Sequence, residues 1–123
     1  MPESLWSAIA DLPLTIESLE LERLDAPGTE RITSHIRLRG GGADGLGEEI
    51  SPNAEEHDAL AAAASALPLA GDWTLASFTE HVGGLELWPE PPEWDIAQRW
   101  RRWAFESAAL DLALRQAGLS LAA

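Results

Sequence analysis

The densest gathering of chemically capable side chains lies in one short stretch, where Glu48, Glu49, Glu55, Glu56, His57 and Asp58 fall close together. Carboxylates and an imidazole at that density are ligands for a hard cation by type. Their spacing argues for something plainer. No glycine-turned calcium loop is present, and Glu55 and Glu56 stand in a helix first turn, where the positive end of the dipole favours them. No metal site is expected. The run Gly40-Gly41-Gly42-Ala43-Asp44-Gly45 fits G-x-G-x-x-G, whose glycines let a backbone approach a pyrophosphate. That chemistry needs a helix directly after the glycines. Here GLGEEIS reads as extended and runs into Pro52, so the glycines are expected to form a hairpin loop. His35, His57 and His81 have no HExxH or paired spacing, and no serine sits in a G-x-S-x-G elbow. Each histidine is expected to be a surface or packing residue.

Composition removes further classes of chemistry. The 123 residues are one domain's worth of chain, long enough for a hydrophobic core. With no Cys there is no disulfide frame, thiolate site or thiol nucleophile. All eight basic residues are Arg, so lysine Schiff-base chemistry is excluded from this segment. A net charge of −13 repels phosphate backbones and anionic lipid, so no nucleic-acid or membrane partner is expected. The chain carries no apolar run long enough to span a bilayer and no basic, apolar leader at its start. A soluble, cytoplasmic protein is expected.

The elements that would position these residues can be read from periodicity. Leu5 to Ala10 is a short helical turn stopped by Pro13, in an N-terminal extension over residues 1–14. A first strand from Thr15 alternates Leu19 and Leu21 against Ser18, Glu20 and Glu22. After the turn Ala26-Pro27-Gly28-Thr29, a second strand, Arg31 to Arg39, sets Ile32, Ser34, Ile36 and Leu38 inward and Thr33, His35, Arg37 and Arg39 outward. An antiparallel register whose paired numbers sum to 57 or 59 matches apolar with apolar on one face and acid with base on the other. A third strand, Gly45 to Ser51, follows, with Asp44-Gly45 as the tight-turn pair. Asn53 and Glu56 resemble a capping box for a helix over 54–67 closed by Pro68, and 74–82 is a shorter helix before Gly83-Gly84. The order β-β-β-α-α-α predicts an α+β fold, a three-stranded antiparallel meander followed by a helical bundle.

The last helix, Trp94 to Leu121, carries apolar residues on two faces. Ile96, Trp100, Trp103, Ser107, Leu110, Leu114 and Ala117 recur by fours and threes and are expected to face the core. Ala104, Ala108 and Leu112 form a second strip, flanked by Arg101 and Arg115. With the tail residues Leu119 and Leu121, that strip is expected to meet a partner. Trp88 and Trp94 flank the preceding proline loop and are expected to be more exposed than Trp100 and Trp103.

The strand ending Gly45-Leu46-Gly47-Glu48-Glu49 and the helix Trp103-Ala104-Phe105-Glu106-Ser107-Ala108-Ala109-Leu110-Asp111-Leu112-Ala113-Leu114, closed by Gly118-Leu119-Ser120-Leu121, resemble the N-terminal capping domain of the enolase superfamily, in its mandelate racemase and muconate lactonizing branch. The resemblance implies a capping domain over residues 15–123, in an enzyme whose catalytic barrel lies outside this chain. It implies lyase or isomerase chemistry in which a Mg2+-dependent C-terminal barrel abstracts a proton next to a carboxylate, with no catalytic residue and no metal ligand in this segment. Two loops of such a cap reach over the substrate, and here they would contain Pro27, Gly28, Thr29 and Glu30, and Ser51, Pro52 and Asn53. The partner would be that barrel domain or another protein chain. The alternative is a free-standing α+β interaction module that uses the second helix face to dimerise as a homo-oligomer or to bind another chain and carries no catalysis.

Overall fold

The computed structural model describes residues 5–25, 32–51, 54–88, 91–92 and 94–119. In order they form α1 (Leu5–Ile9), β1 (Pro13–Ile16), β2 (Ser18–Asp25), β3 (Ile32–Gly40), β4 (Ala43–Glu49), α2 (Ala54–Ala63) with a 3-10 turn (Ala64–Ala66), β5 (Gly71–Thr74), α3 (Leu75–Gly83) and α4 (Ile96–Gln116). The α+β architecture is as expected, with β2-β3-β4 an antiparallel meander. Leu19 pairs with Leu38, Leu21 with Ile36, Glu20 with Arg37 and Glu22 with His35, so the register sums to 57. Acid and base share the outer face, where Arg39 reaches Glu20 at 3.0 Å and Asp44 at 3.4 Å.

The β3–β4 turn is Gly41-Gly42 and not Asp44-Gly45. Gly40 pairs with Ala43 across it, and the two glycines have φ of 57° and 80°. Positive φ at both central positions is the two-residue turn whose twist matches a hairpin, and a side chain would be strained at either. The strand accordingly starts two residues earlier than expected and ends at Glu49.

A second sheet was not anticipated. β1 pairs with β5 antiparallel, Leu14 opposite Trp73 and Ile16 opposite Gly71. Leu14 and Ile16 are buried, so the segment expected as an extension up to residue 14 contributes to the core. The strand expected from Thr15 is two strands parted at Glu17, whose N–H donates to the Arg39 carbonyl at 2.7 Å. Thr74, expected inside the third helix, caps it instead: its hydroxyl accepts the Ser77 N–H, and the Ser77 hydroxyl accepts the Thr74 N–H.

The largest correction concerns α4: the strip expected to meet a partner is buried, and of the stripe expected to face the core only Leu114 is buried, with Trp100 and Leu110 partly so. The buried residues are Ala97, Arg101, Ala104, Phe105, Ala108, Ala109, Leu112, Ala113 and Leu114. Ile96 is 42% exposed and Trp103 54%, while Trp100 is only half-buried. The cause lies in β4. Its inward positions are Gly45, Gly47 and Glu49, so the helix backbone descends almost onto the strand. A Cβ on Gly45 would stand 2.2 Å from the Ala108 carbonyl oxygen, and one on Gly47 would stand 2.0 Å from that of Ala104. At Ala104 and Ala108 such an approach leaves room for a methyl group and none for a tryptophan. Ala104, Ala108 and Leu112, expected to meet a partner, therefore pack against the chain's own sheet.

The helix, expected over Trp94 to Leu121, ends at Gln116; beyond it Gly118, at φ 72°, turns the chain, its N–H donating to Arg115 O and that of Leu119 to Leu114 O. Its last turn also clips the two sheets together. The Gln116 amide accepts the Thr15 N–H at 3.0 Å and donates to the carbonyls of Thr15 and Gly40 at 2.8 and 3.0 Å. The core between sheets and helices holds Leu14, Ile36, Leu38, Leu60, Phe78 and Phe105, each 1% exposed or less. Full burial of each contributes about 2–3 kcal/mol. Among the described residues, no helix is long and apolar enough to cross a membrane.

Candidate functional site

The inward alternation of β4 ends on a carboxylate. Gly45 and Gly47 are followed two residues on by Glu49, which is 0% exposed at the last position of the strand. An isolated carboxylate there would be expensive, and the fold places a guanidinium on it. Arg101, also 0% exposed, donates from Nε to Glu49 Oε2 at 2.6 Å. Its Nη1 donates to the Leu87 carbonyl at 3.0 Å and its Nη2 to the Glu56 carbonyl at 3.2 Å. Its flat face lies on Trp88, with Cζ 3.5 Å from the ring centroid, a cation–π contact in a desolvated place. Burial pushes the Arg101 guanidinium below its ordinary value, and Glu49 opposes the shift.

The other Glu49 oxygen organises the chain beyond the strand. Oε1 accepts both the N–H and the hydroxyl of Ser51, each at 2.7 Å. The Ser51 carbonyl faces His57 Nε2 at 2.6 Å, so this nitrogen carries the hydrogen and donates. Nδ1 is hydrogen-bonded to the Ser34 hydroxyl, also at 2.6 Å. Ser34, Glu49, Ser51, His57 and Arg101 form one continuous buried chain of hydrogen bonds drawn from β3, β4, the segment after it, α2 and α4. Ser34 and His57 have the contact of a nucleophile and its base. They are 3% and 2% exposed, so no substrate reaches them, and the pair is structural.

The network sits at one end of the three-stranded sheet. In an antiparallel meander the end of β2, the start of β3 and the end of β4 share an edge, and the pairs Asp25–Ile32 and Ser34–Glu49 place them there. Both loops expected to approach a substrate leave from this edge. Pro27, Gly28, Thr29 and Glu30 of the first, and Pro52 and Asn53 of the second, lie outside the described residues. Ser51 is described, and it is fully buried as the anchor of its loop and does not face outward. Ile50, between the buried Glu49 and Ser51, is 50% exposed.

The remaining expected site residues scatter. Leu119 is 52% exposed beyond α4, and Leu121 lies outside the described residues. His35 stands on the outer sheet face 3.8 Å from Glu48. His81 stacks on Trp73 and bonds the Pro68 carbonyl. Glu48 and Asp58 are not drawn to Glu49; Asp58 pairs instead with Arg23 at 2.6 Å. Among the described residues no three His, Asp or Glu side chains converge as metal ligands would.

Sequence reasoning missed Arg101 and Trp88. Trp88, expected to be exposed, is 7% exposed beneath Arg101, whereas Trp94 is exposed as expected and meets Trp100 edge to face. The Trp88 indole N–H is, among the described residues, the one buried side-chain polar atom without a hydrogen-bond partner. Leaving such a donor unpaired costs about 1–3 kcal/mol.

Concavities lie on both sides of α4. An apolar groove of about 350 Å³ lies between α1, α3 and α4, lined by Ile9, Leu75, Trp103, Glu106 and Leu110. Burial raises the Glu106 carboxyl above its ordinary value, against the pull of Arg102 at 3.5 Å. A polar pocket of about 330 Å³ lies on the other side, between the α3–α4 connection and the first turns of α4.

A small α+β domain with a buried ion-pair hub under the loop edge of its sheet is thus the class that fold and site define. Residues 7–123 match the family described as the N-terminal domain of DUF8230, a domain of unknown function, and the chain belongs to that family. No curated protein and no solved structure matches the chain.

Proposed function

We propose that this chain is the capping and substrate-selecting domain of an enolase-superfamily enzyme. Magnesium-dependent proton abstraction next to a carboxylate would belong to a C-terminal barrel, in a lyase or isomerase. The observation that carries the reading is the common edge from which both loops leave, with a rigid polar hub beneath it. A cap must hold its loops over a barrel mouth while excluding water, and loops held from a fixed edge do this better than loops that drift. The two motifs that resemble the superfamily also meet face to face, Gly45 and Gly47 on Ala104 and Ala108. Membership in a family described as an N-terminal domain supports a C-terminal partner.

On this reading the chain's residues select and shield and do not react. Ile50, held out between two clamped neighbours, supplies apolar contact to the distal part of the substrate. Mg2+ would be held by the barrel, and none of the described residues is assigned to it.

The test is the structure and chemistry of the full-length parent. Residues following this domain should form a barrel whose mouth faces the loops over 26–31 and 50–53. The protein should exchange the α-proton of a carboxylate substrate with D2O only when Mg2+ is present. A C-terminal domain of another architecture, or a barrel mouth turned away from that edge, overturns the proposal.

A further inference from the structure

We propose that the polar pocket beside the first turns of α4 binds a small molecule through an oxyanion, either a carboxylate or a phosphate ester. Arg99, Arg102, Gln98 and the Trp88 indole N–H would be its donors. The pocket holds about 330 Å³, at the small end of the range for ligand sites.

Charge distribution is the first argument. The chain carries −13 overall, yet two of its eight arginines, Arg99 and Arg102, line this pocket together with Trp88. Clustered positive charge in an otherwise acidic protein marks where an anion can approach. Arg101 is paired with Glu49 and does not line the pocket; its guanidinium packs on the Trp88 ring, Cζ 3.5 Å from the centroid. Arg99 makes no ion pair among the described residues. Arg102 touches Glu106 through Nε at 3.5 Å, and its two terminal nitrogens spread over Gly83, a lining residue of the pocket. A Cβ on Gly83 would come within 3.0–3.3 Å of that guanidinium, so glycine leaves the room it occupies.

The second argument is independent of charge. Trp88 lines the pocket, is nine-tenths buried, and its indole N–H lacks a partner. A native fold rarely leaves a buried donor unmatched, and an acceptor supplied by a ligand satisfies it. The acceptors nearest the pocket among the described residues have partners within the chain. Glu86 turns its Oε1 back to the Trp88 backbone N–H at 3.3 Å. The last carbonyls of α3, those of His81 and Val82, accept the N–H groups of Gly84 and Leu85. Among the described lining residues, Gln98, Arg99, Arg102 and Trp88 carry the donors and Glu86 the one carboxylate.

The experiment is an NMR titration of the chain labelled with 15N-tryptophan, using inorganic phosphate in one arm and succinate in the other. Sodium chloride at matched ionic strength is the control. The assigned Trp88 indole cross-peak should shift saturably with phosphate or succinate and stay fixed with chloride. Saturation by phosphate alone assigns a phosphate ester, and saturation by succinate alone assigns a carboxylate. Arg99→Gln, at an exposed position, should raise the midpoint at least tenfold while leaving the Tm of the free chain unchanged. The proposal is overturned if the Trp88 peak responds to neither anion. It is overturned equally if the peak follows chloride alike, or if Arg99→Gln leaves the midpoint where it was.

Discussion

Replacing Arg101 by Met should be the most damaging conservative change in α4, and the structure sets its size. Met fills most of the same volume, so what is lost is polar. Glu49 would be left 0% exposed with no counter-ion, which costs about 3–5 kcal/mol. The carbonyls of Leu87 and Glu56 would each lose a donor, about 1 kcal/mol apiece. The total of about 5–7 kcal/mol approaches the whole stability of an ordinary domain, about 5–15 kcal/mol. Glu49→Gln alone strands the cation and should cost about 3–5 kcal/mol. The double variant strands neither charge and should cost about 4–6 kcal/mol in place of the summed 8–12. Urea melts followed by tryptophan fluorescence, in trimethylamine N-oxide to keep the single variants folded, give all four corners of the cycle. Additivity within about 0.5 kcal/mol, or an Arg101→Met cost below about 1 kcal/mol, would refute the account of the hub.

Gly47→Ala should cost at least about 1–3 kcal/mol, because a Cβ 2.0 Å from the Ala104 carbonyl oxygen must push helix backbone and not a side-chain end. Gly42→Asn, in a turn with nothing within 4 Å, should cost less than about 1 kcal/mol in the same denaturation assay. Gln116→Ala removes three hydrogen bonds and should destabilise by about 2–4 kcal/mol, with a matching loss of hydrogen-exchange protection at the Thr15 amide. Glu106→Gln should raise Tm at pH 7 but not at pH 4. Burial raises the folded carboxyl above its ordinary 4.5, so the folded state favours the proton. The Glu106 contribution is therefore fully present below pH 4.5 and is lost as pH rises through the folded value. Parallel melts of wild type and variant at the two pH values read the difference.

The hairpin β2–β3 was legible because two patterns agreed. Leu19, Leu21, Ile36 and Leu38 demanded one face, and Glu20, Glu22, His35 and Arg37 demanded the other, and a single register served both. β1 and β5 escaped notice because each has four residues, too few to show a period, and their partners lie far apart along the chain. The faces of α4 were misread because bulk was taken as the sign of burial. The deciding fact was on another element, in the missing side chains of Gly45 and Gly47. The hub left a signal that was passed over: Glu49 stands at the inward step after those two glycines, where a carboxylate needs a buried cation. Arg101, within an otherwise apolar strip, was the residue placed to meet it. The orphaned Trp88 N–H left no such trace, since it arises from packing and not from spacing.

The Gln116 clip joins residues 101 positions apart, so β1 cannot be locked until α4 is complete. During synthesis at about 5–20 residues per second, roughly 3–13 s pass between Glu49, which ends β4, and Gln116. Through that interval the meander can pair while its glycine-lined strand has no helix over it. Its bare edge and the Ile36–Leu38 face are then exposed to any other strand nearby. The same close approach that seats α4 so deeply makes the newly made sheet dependent on a helix synthesised after the other described elements, and opens an aggregation hazard in the interval before that helix is made.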